Sequence, residues 1–330
     1  LSVVLPQASP IGGGGFMMIH DANTNTNHAL DYREMAPRKA SEDMFIVDGE
    51  VDRELALYSY LSSGVPGTIY GLYLAHQKFG QLPWKELIEP AIVLANDGFI
   101  ISDTLGKTLE SYKDKLGRTF DGKKIFFKDD VILKTGDLLV QKDRANTLKL
   151  VAQKGPAGFY KGPTAQKIHL DMRKNGGLIT SSDLRNYKAK FRSPIEFNYK
   201  DLSIVTMPLP SSGGLILALM LNMIEQLELN LSDPHTAENV QKISEIMQIA
   251  YSLRSIYMAD SDFYKVPEKE FLSKERAKQL LKNINLTRMS KAEDYDPIKF
   301  KFKENTTHYS IVDGFGNIVS TTTTLNTAFG

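Results

Sequence analysis

Two threonines near the end of the 330-residue chain, Thr306 and Thr324, have the type and spacing to do chemistry together. They lie in a stretch reading Thr-Thr-His-Tyr-Ser-Ile-Val-Asp, then Gly-Phe-Gly-Asn, then Ile-Val-Ser, four threonines and Leu-Asn-Thr-Ala-Phe-Gly. β-Branched and aromatic residues on both sides of a glycine turn predict a hairpin. With Gly314, Phe315 and Gly316 as a three-residue loop and Gly316 left-handed, Asp313 pairs with Asn317 and Thr306 falls opposite Thr324. A threonine hydroxyl is a weak nucleophile until a base takes its proton, and the threonine's own α-amine at a chain terminus is one such base. That amine titrates at about pH 8, so part of it is neutral at neutral pH, whereas a lysine is almost wholly charged. Thr306 is internal, so this chemistry first requires cleavage of the Asn305–Thr306 peptide. The other reading of the same pattern is a threonine-rich strand that only packs in a sheet.

The elements that must position this hairpin are mixed. Phe16 to His20 and Ala29 to Arg33 read as strands, as does Leu1 to Leu5. Apolar spacing predicts helices over Thr68 to Phe79, Trp84 to Asn96 with a break at Pro90, Lys142 to Gln153, Thr164 to Asn175 and Gly214 to Leu229. Asp103 to Leu116 reads as polar and exposed, Thr236 to Met258 as a long helix and Leu272 to Asn283 as a shorter one. Ile195 to Phe197 and Leu202 to Met207 form a candidate strand pair, Ser181 to Tyr187 a capped turn. Ser211 and Ser212 read as caps of the following helix, with donation to an anion as the alternative. Leu286 to Asn305 is charged and polar, an expected exposed linker delivering Thr306 to a strand start. Alternating strands and helices favour a layered α/β protein.

Gly12 to Gly15 could suggest a phosphate loop, but such loops open a helix, and a strand follows here; close backbone approach or a bend is the better reading. Lys+Arg 40 against Asp+Glu 39 gives a net charge of +1, which argues against a nucleic-acid partner. No cysteine is present, so thiol catalysis, disulfides and thiolate metal sites are excluded. The six histidines include no pair at metal-ligand spacing, and neither a metal nor a cofactor is assigned. No apolar run reaches the roughly 20 residues of a membrane helix. His308 shares a strand face with Thr306 and reads as structural, because the freed amine already supplies a base.

The stretch from Thr306 closely resembles the γ-glutamyltransferase (γ-glutamyltranspeptidase) family of N-terminal nucleophile hydrolases. Five further strings occur in that family's order: Ile-Gly-Gly-Gly-Gly-Phe-Met (11 to 17), Arg-Glu-Met-Ala-Pro (33 to 37), Gly-Val-Pro-Gly-Thr (64 to 68), Asn-Gly-Gly-Leu-Ile-Thr (175 to 180) and Pro-Ser-Ser-Gly-Gly (210 to 214). The resemblance implies a four-layer αββα sandwich of stacked antiparallel sheets with the catalytic hairpin in a central sheet. It implies γ-glutamyl transfer from glutathione or other γ-glutamyl amides to water, an amino acid or a peptide. In that reaction Thr306 would be the nucleophile, freed by autocatalytic cleavage after Asn305, and Thr324 would orient or polarise it. Arg33 would bind the substrate α-carboxylate and Asn326 its α-amino end, with Thr322 a weaker candidate for support. Residues 1 to 305 would belong to a large subunit and 306 to 330 to the beginning of a small one, together forming one composite domain. The family implies a periplasmic or extracellular protein whose export signal would precede Leu1. The oxyanion donors and remaining pocket residues are expected beyond Gly330. The alternative is an unprocessed or non-catalytic homologue that binds γ-glutamyl or amino acid derivatives.

Overall fold

The computed structural model describes residues 1–8, 11–227, 229, 232–282 and 306–330. The elements that build and support the site are labelled in chain order. The strands are β1 (Gly14–Asp21), β2 (Thr26–Asp31), β3 (Lys190–Arg192), β4 (Ile195–Tyr199), β5 (Leu202–Thr206), β6 (Thr306–Val312) and β7 (Ile318–Thr324). The helices are α1 (Thr68–Phe79), α2 (Trp84–Asp97), α3 (Asp103–Leu116), α4 (Lys142–Lys154), α5 (Gly162–Lys174), α6 (Ser181–Asn186), α7 (Gly213–Ile224), α8 (Ala237–Tyr257) and α9 (Lys274–Leu281).

Five strands form one antiparallel sheet in the order β6-β7-β1-β2-β3, so the last strands in the chain lie beside the first. The period-2 alternation of side chains separates its faces. Met17, Ile19, Leu30 and Tyr32 turn to one side and pack against Ile69 of α1, Val151 of α4 and Leu184 of α6. Thr321 and Thr323 of β7 share that covered side, at 0% and 6% exposure. Thr306, His308, Thr322, Thr324 and Phe16 occupy the other side, where none is fully buried. A second core joins the β4–β5 hairpin to α7, α8 and α9 through Ile195, Leu215, Leu219, Ile246 and Ala277. The fold is therefore mixed α/β with antiparallel sheets, the class expected. Among the described residues no helix is long and apolar enough to cross a membrane.

Several expectations change at the level of elements. Leu1 to Leu5 is a turn closed by a bond from the Leu5 N–H to the Leu1 carbonyl, with Val3 buried against Ile92 and Leu148. Its apolar residues fill a helical core and do not pair in a ladder. Helix α2 runs through Pro90 without ending, because packing holds it there: Ile92 and Ala95, beyond the proline, are buried. Helix α3 is amphipathic and only partly exposed, with Leu105 and Leu109 in a core with Leu139. Helix α7 ends at Ile224 and α9 begins at Lys274, both shorter than their apolar patterns suggested. The expected linker, with Asn305, lies outside the described residues.

Candidate active site

The hairpin carries Thr306 and Thr324 together. Asp313 pairs with Asn317 through its N–H, Gly316 has φ +87°, and Thr306 stands directly opposite Thr324, as the loop length predicts. The Asp313 carboxylate accepts from the N–H groups of Phe315 and Asn317 and from the Asn317 side-chain amide. The Asn317 Oδ1 in turn accepts from the Ala22 N–H, tying the loop to the β1–β2 turn. These bonds fix the register, and a slip of one residue would send the Thr306 hydroxyl to the covered face.

At the far end of the hairpin the Thr306 hydroxyl donates to Thr324 Oγ1 at 3.2 Å, and the Asn326 N–H donates to the same oxygen at 2.9 Å. Asn326 reaches this position with φ +79°, a left-handed conformation that asparagine tolerates better than most side chains. The structure thus places the Asn326 backbone on Thr324 and leaves its side chain in the exposed part of the site. Thr322 accepts or donates at 2.7 Å to His308 Nδ1, and the other ring nitrogen lies 3.1 Å from Ser320 Oγ. His308 is engaged along the strand with these hydroxyls, in keeping with a structural role beside the threonine pair.

The same cross-strand row leads to Arg33. Gly14 pairs with Thr324, Phe16 with Asp31, and Gly15 exchanges two backbone bonds with Tyr32. One more step of that register brings Arg33 beside Gly14. Thr306, Thr324, Gly14 and Arg33 therefore form one row at one end of the sheet, with Thr306 and Arg33 on the same face. At sheet spacing the row spans on the order of 14 Å between main chains, and at its glycine position the Glu34 carboxyl group lies 2.9 Å from where a Gly14 side chain would begin. The Arg33 guanidinium carbon stands 5.9 Å from the centre of the Phe16 ring, which belongs to the same face.

Arg33 itself lies just past the end of β2, outside the regular ladder. Its N–H donates to Asp31 Oδ1 at 3.0 Å and its carbonyl accepts from the Tyr187 hydroxyl at 2.8 Å. Asp31 Oδ2 accepts from Arg192 Nε at 2.8 Å, and Arg192 forks onto both oxygens of Asp262 at 3.0 and 2.9 Å. Lys190 adds a bond of 2.6 Å to Asp262. Those donors hold the Asp262 carboxyl well below the usual carboxylate range, Arg192 contributing most and Lys190 next. Burial pushes the Glu34 carboxyl up, while the N–H groups of Glu34 and Gly14 and the Arg33 charge pull it down.

The glycine strings make this convergence possible. A side chain at Gly13 would run into the Thr324 carbonyl, and one at Gly67 into the Tyr32 carbonyl and Tyr187 hydroxyl. The Gly13 carbonyl accepts from the N–H groups of Gly67 and Thr68 at 2.9 and 3.0 Å, so both glycines belong to one tight junction. Thr180, at the end of its own glycine string, caps α6 reciprocally with Asp183, which leads to Tyr187. Ser212 stands at the N-cap of α7 but makes no side-chain capping bond; its Oγ accepts instead from Arg254 Nε at 2.9 Å. Capping therefore does not explain Ser212, because the arginine of α8 occupies its oxygen. Arg33, Arg192, Ser212 and Arg254 line a cleft of about 480 Å³ whose walls do not include Thr306 or Thr324.

Sequence reasoning singled out Thr306, Thr324, Arg33 and Asn326, and the fold gathers them at one sheet end. It missed Asp31, Tyr187, Arg192 and Asp262. Asp31 and Arg33, two apart in Asp-Tyr-Arg, give a hint of a shared side, but their partners lie some 150 or more residues away. The register of β2 on β3, with Asp31 opposite Lys190 and Ala29 opposite Arg192, brings Arg192 to Asp31.

A strand-initial threonine with a facing hydroxyl, in an antiparallel sheet packed on helices, is the arrangement of the N-terminal nucleophile hydrolases. The comparisons narrow the class. The chain matches the family described as Gamma-glutamyltranspeptidase over residues 1–330. It is 43% identical over 334 residues to the Glutathione hydrolase proenzyme of Escherichia coli (strain K12), an alignment covering 100% of this chain and 57% of that protein. The Helicobacter pylori gamma-glutamyltranspeptidase crystal structure superposes with a TM-score of 0.86 at 40% identity, covering 90% of this chain and 85% of that one. The Pseudomonas nitroreducens gamma-glutamyltranspeptidase complexed with L-DON gives 0.81 at 36% identity, covering 89% and 87%. The chain belongs to the γ-glutamyltranspeptidase family and has its N-terminal nucleophile hydrolase fold.

Proposed function

We propose that the protein to which this chain belongs transfers the γ-glutamyl group of glutathione and related γ-glutamyl amides to water, an amino acid or a peptide. The chain spans 57% of the length of the E. coli glutathione hydrolase proenzyme. The observation carrying the reading is the 3.2 Å bond between the Thr306 and Thr324 hydroxyls in the row that ends at Arg33. The nucleophile, its partner and a cation able to grip a carboxylate thus share one sheet end.

In the first step Thr306 Oγ attacks the carbonyl carbon of Asn305, the peptide nitrogen leaves, and the chain passes through an ester that water opens. Residues 1–305 and 306–330 then belong to a large and a small subunit of one composite domain. The freed α-amine of Thr306 takes the hydroxyl proton as Oγ attacks the γ-carbonyl of the donor, and returns it to the departing amine. Thr324 fixes the hydroxyl through their hydrogen bond, and water or an amine acceptor then opens the γ-glutamyl ester. Arg33 presents a planar fork to the donor α-carboxylate, with the Asn326 side chain available to the α-amino end. Family membership supports a periplasmic or extracellular setting.

The test is the intact mass of the purified protein together with turnover of γ-glutamyl p-nitroanilide. Wild-type protein is expected as two chains, the second beginning at Thr306, and active; Thr306→Ala is expected as one inactive chain. An uncleaved wild type that binds γ-glutamyl compounds without turnover would instead make this a binding homologue.

A further inference from the structure

The link from Asp31 to Asp262 suggests a role for a residue that does not touch substrate. Asp31 is two residues before Arg33 and 8% exposed, and both side chains stand on the open face of the sheet. At that spacing an aspartate can swing onto the guanidinium of its neighbour and occupy the fork that a ligand carboxylate would use. It does not do so here. One Asp31 oxygen caps the Arg33 N–H, and the other is taken by Arg192 Nε at 2.8 Å. Arg192 is itself fixed by two parallel bonds to Asp262, so its Nε cannot leave Asp31 without breaking a bidentate pair. Among the described residues Arg33 makes no ion pair, whereas Arg192 makes two.

We propose that Arg192 is a positioning residue for donor binding: by holding Asp31 it prevents an internal Asp31–Arg33 pair and leaves the Arg33 fork open to the substrate α-carboxylate. Asp262 serves the same end by fixing Arg192. The role rests on the reading of Arg33 given above, and it adds a device for keeping a binding cation unpaired within a short strand segment that also carries an anion. A rigid fork is required, because a lysine at position 192 would offer Asp31 and Asp262 a point charge that either could pull away from the other.

The experiment measures KM and kcat of the processed, full-length enzyme with γ-glutamyl p-nitroanilide and with the same compound lacking its α-carboxylate. Arg192→Gln is expected to raise KM for the glutamyl donor about tenfold or more, with kcat near wild type and the decarboxylated donor unaffected. Adding Asp31→Asn to Arg192→Gln is expected to restore most of the lost KM, because the neutral amide can still cap the Arg33 N–H but no longer competes for its charge. Wild-type KM in Arg192→Gln would overturn the proposal, as would a defect that Asp31→Asn does not relieve or that extends equally to the decarboxylated donor, since either marks a general structural role. Arg33→Lys is the control: if it too leaves KM and selectivity unchanged, the reading of Arg33 fails, independently of Arg192. Subunit masses and Tm for each variant identify any that fails to fold or process, and Arg192→Lys, with a smaller rise in KM, then supplies the same comparison.

Discussion

Thr306 and Arg33 stand 273 positions apart in the chain, yet they occupy the two ends of one cross-strand row whose intermediate positions are Thr324 and Gly14. The hydroxyl end is made by the hairpin and the guanidinium end by the exit of β2. Gly14 separates them, with the Glu34 carboxyl group packed where its side chain would begin. On the function proposed above, Thr306 would meet one end of a short bifunctional donor and Arg33 the other.

Thr324→Val tests the hydroxyl pair. Valine keeps the β-branched shape of the strand and removes the oxygen that accepts from Thr306 and from the Asn326 N–H. Processing is expected to slow, and kcat/KM to fall about 100-fold or more, the scale of one catalytic hydrogen bond. Circular dichroism should be unchanged. Normal processing and normal kinetics together would remove Thr324 from the site.

Arg33→Lys keeps the charge and loses the fork. Binding far from the breaking bond is shared by ground and transition states, so the loss is expected mainly in KM, with kcat/KM down about 30-fold or more. Self-cleavage needs no donor and should be spared, which intact mass would show. A variant with wild-type KM and unchanged preference for the α-carboxylate would make Arg33 a rim residue.

Gly13→Ala tests the junction beneath the dyad. Its methyl group would meet the Thr324 carbonyl, backbone that cannot turn aside as a flexible side chain can. A cost of about 1–3 kcal/mol is expected from such overpacking, seen as a lower Tm, with impaired processing because Thr324 must move. Gly12→Ala is the control, since nothing stands within 4 Å of a side chain there. Equal Tm values for the two variants would contradict the close approach.

Asp262 supplies a pH-dependent test. Its carboxyl is held below the usual range in the fold by Arg192 first and Lys190 next, so the unfolded chain binds its proton more readily. The resulting stability is present above the unfolded pKa of about 4 and is lost as the pH falls toward the lower folded value. Asp262→Asn should therefore lower Tm at pH 7, with the difference from wild type shrinking as the pH drops below about 4. A difference that stays constant from pH 7 to pH 3 would mean that the ion pair contributes nothing through ionisation.

The sequence by itself determined what short-range rules govern. A glycine loop of fixed length sets the Asp313–Asn317 closure, and period-2 counting then puts Thr306 opposite Thr324 whatever surrounds them. Helix α1 begins and ends where its apolar spacing and Gly80 place it. The ordered strings disclosed the family, and through it the roles expected of Arg33 and Asn326. Patterns without a local partner were less legible. Apolar Leu1 to Leu5 could serve a strand or a helical core, Pro90 could end a helix or be carried through one, and packing alone chose between the outcomes. Tertiary structure alone decided that β7 lies against β1, that Gly13 must be bare because Thr324 passes over it, and that Ser212 bonds Arg254 rather than its own helix. It also decided that Asp31, Arg192 and Asp262 form one chain of bonds behind Arg33. Sheet pairing between distant segments and salt bridges across loops leave no period in a sequence, because each partner alone satisfies the same local rules as any exposed charge or any glycine in a turn.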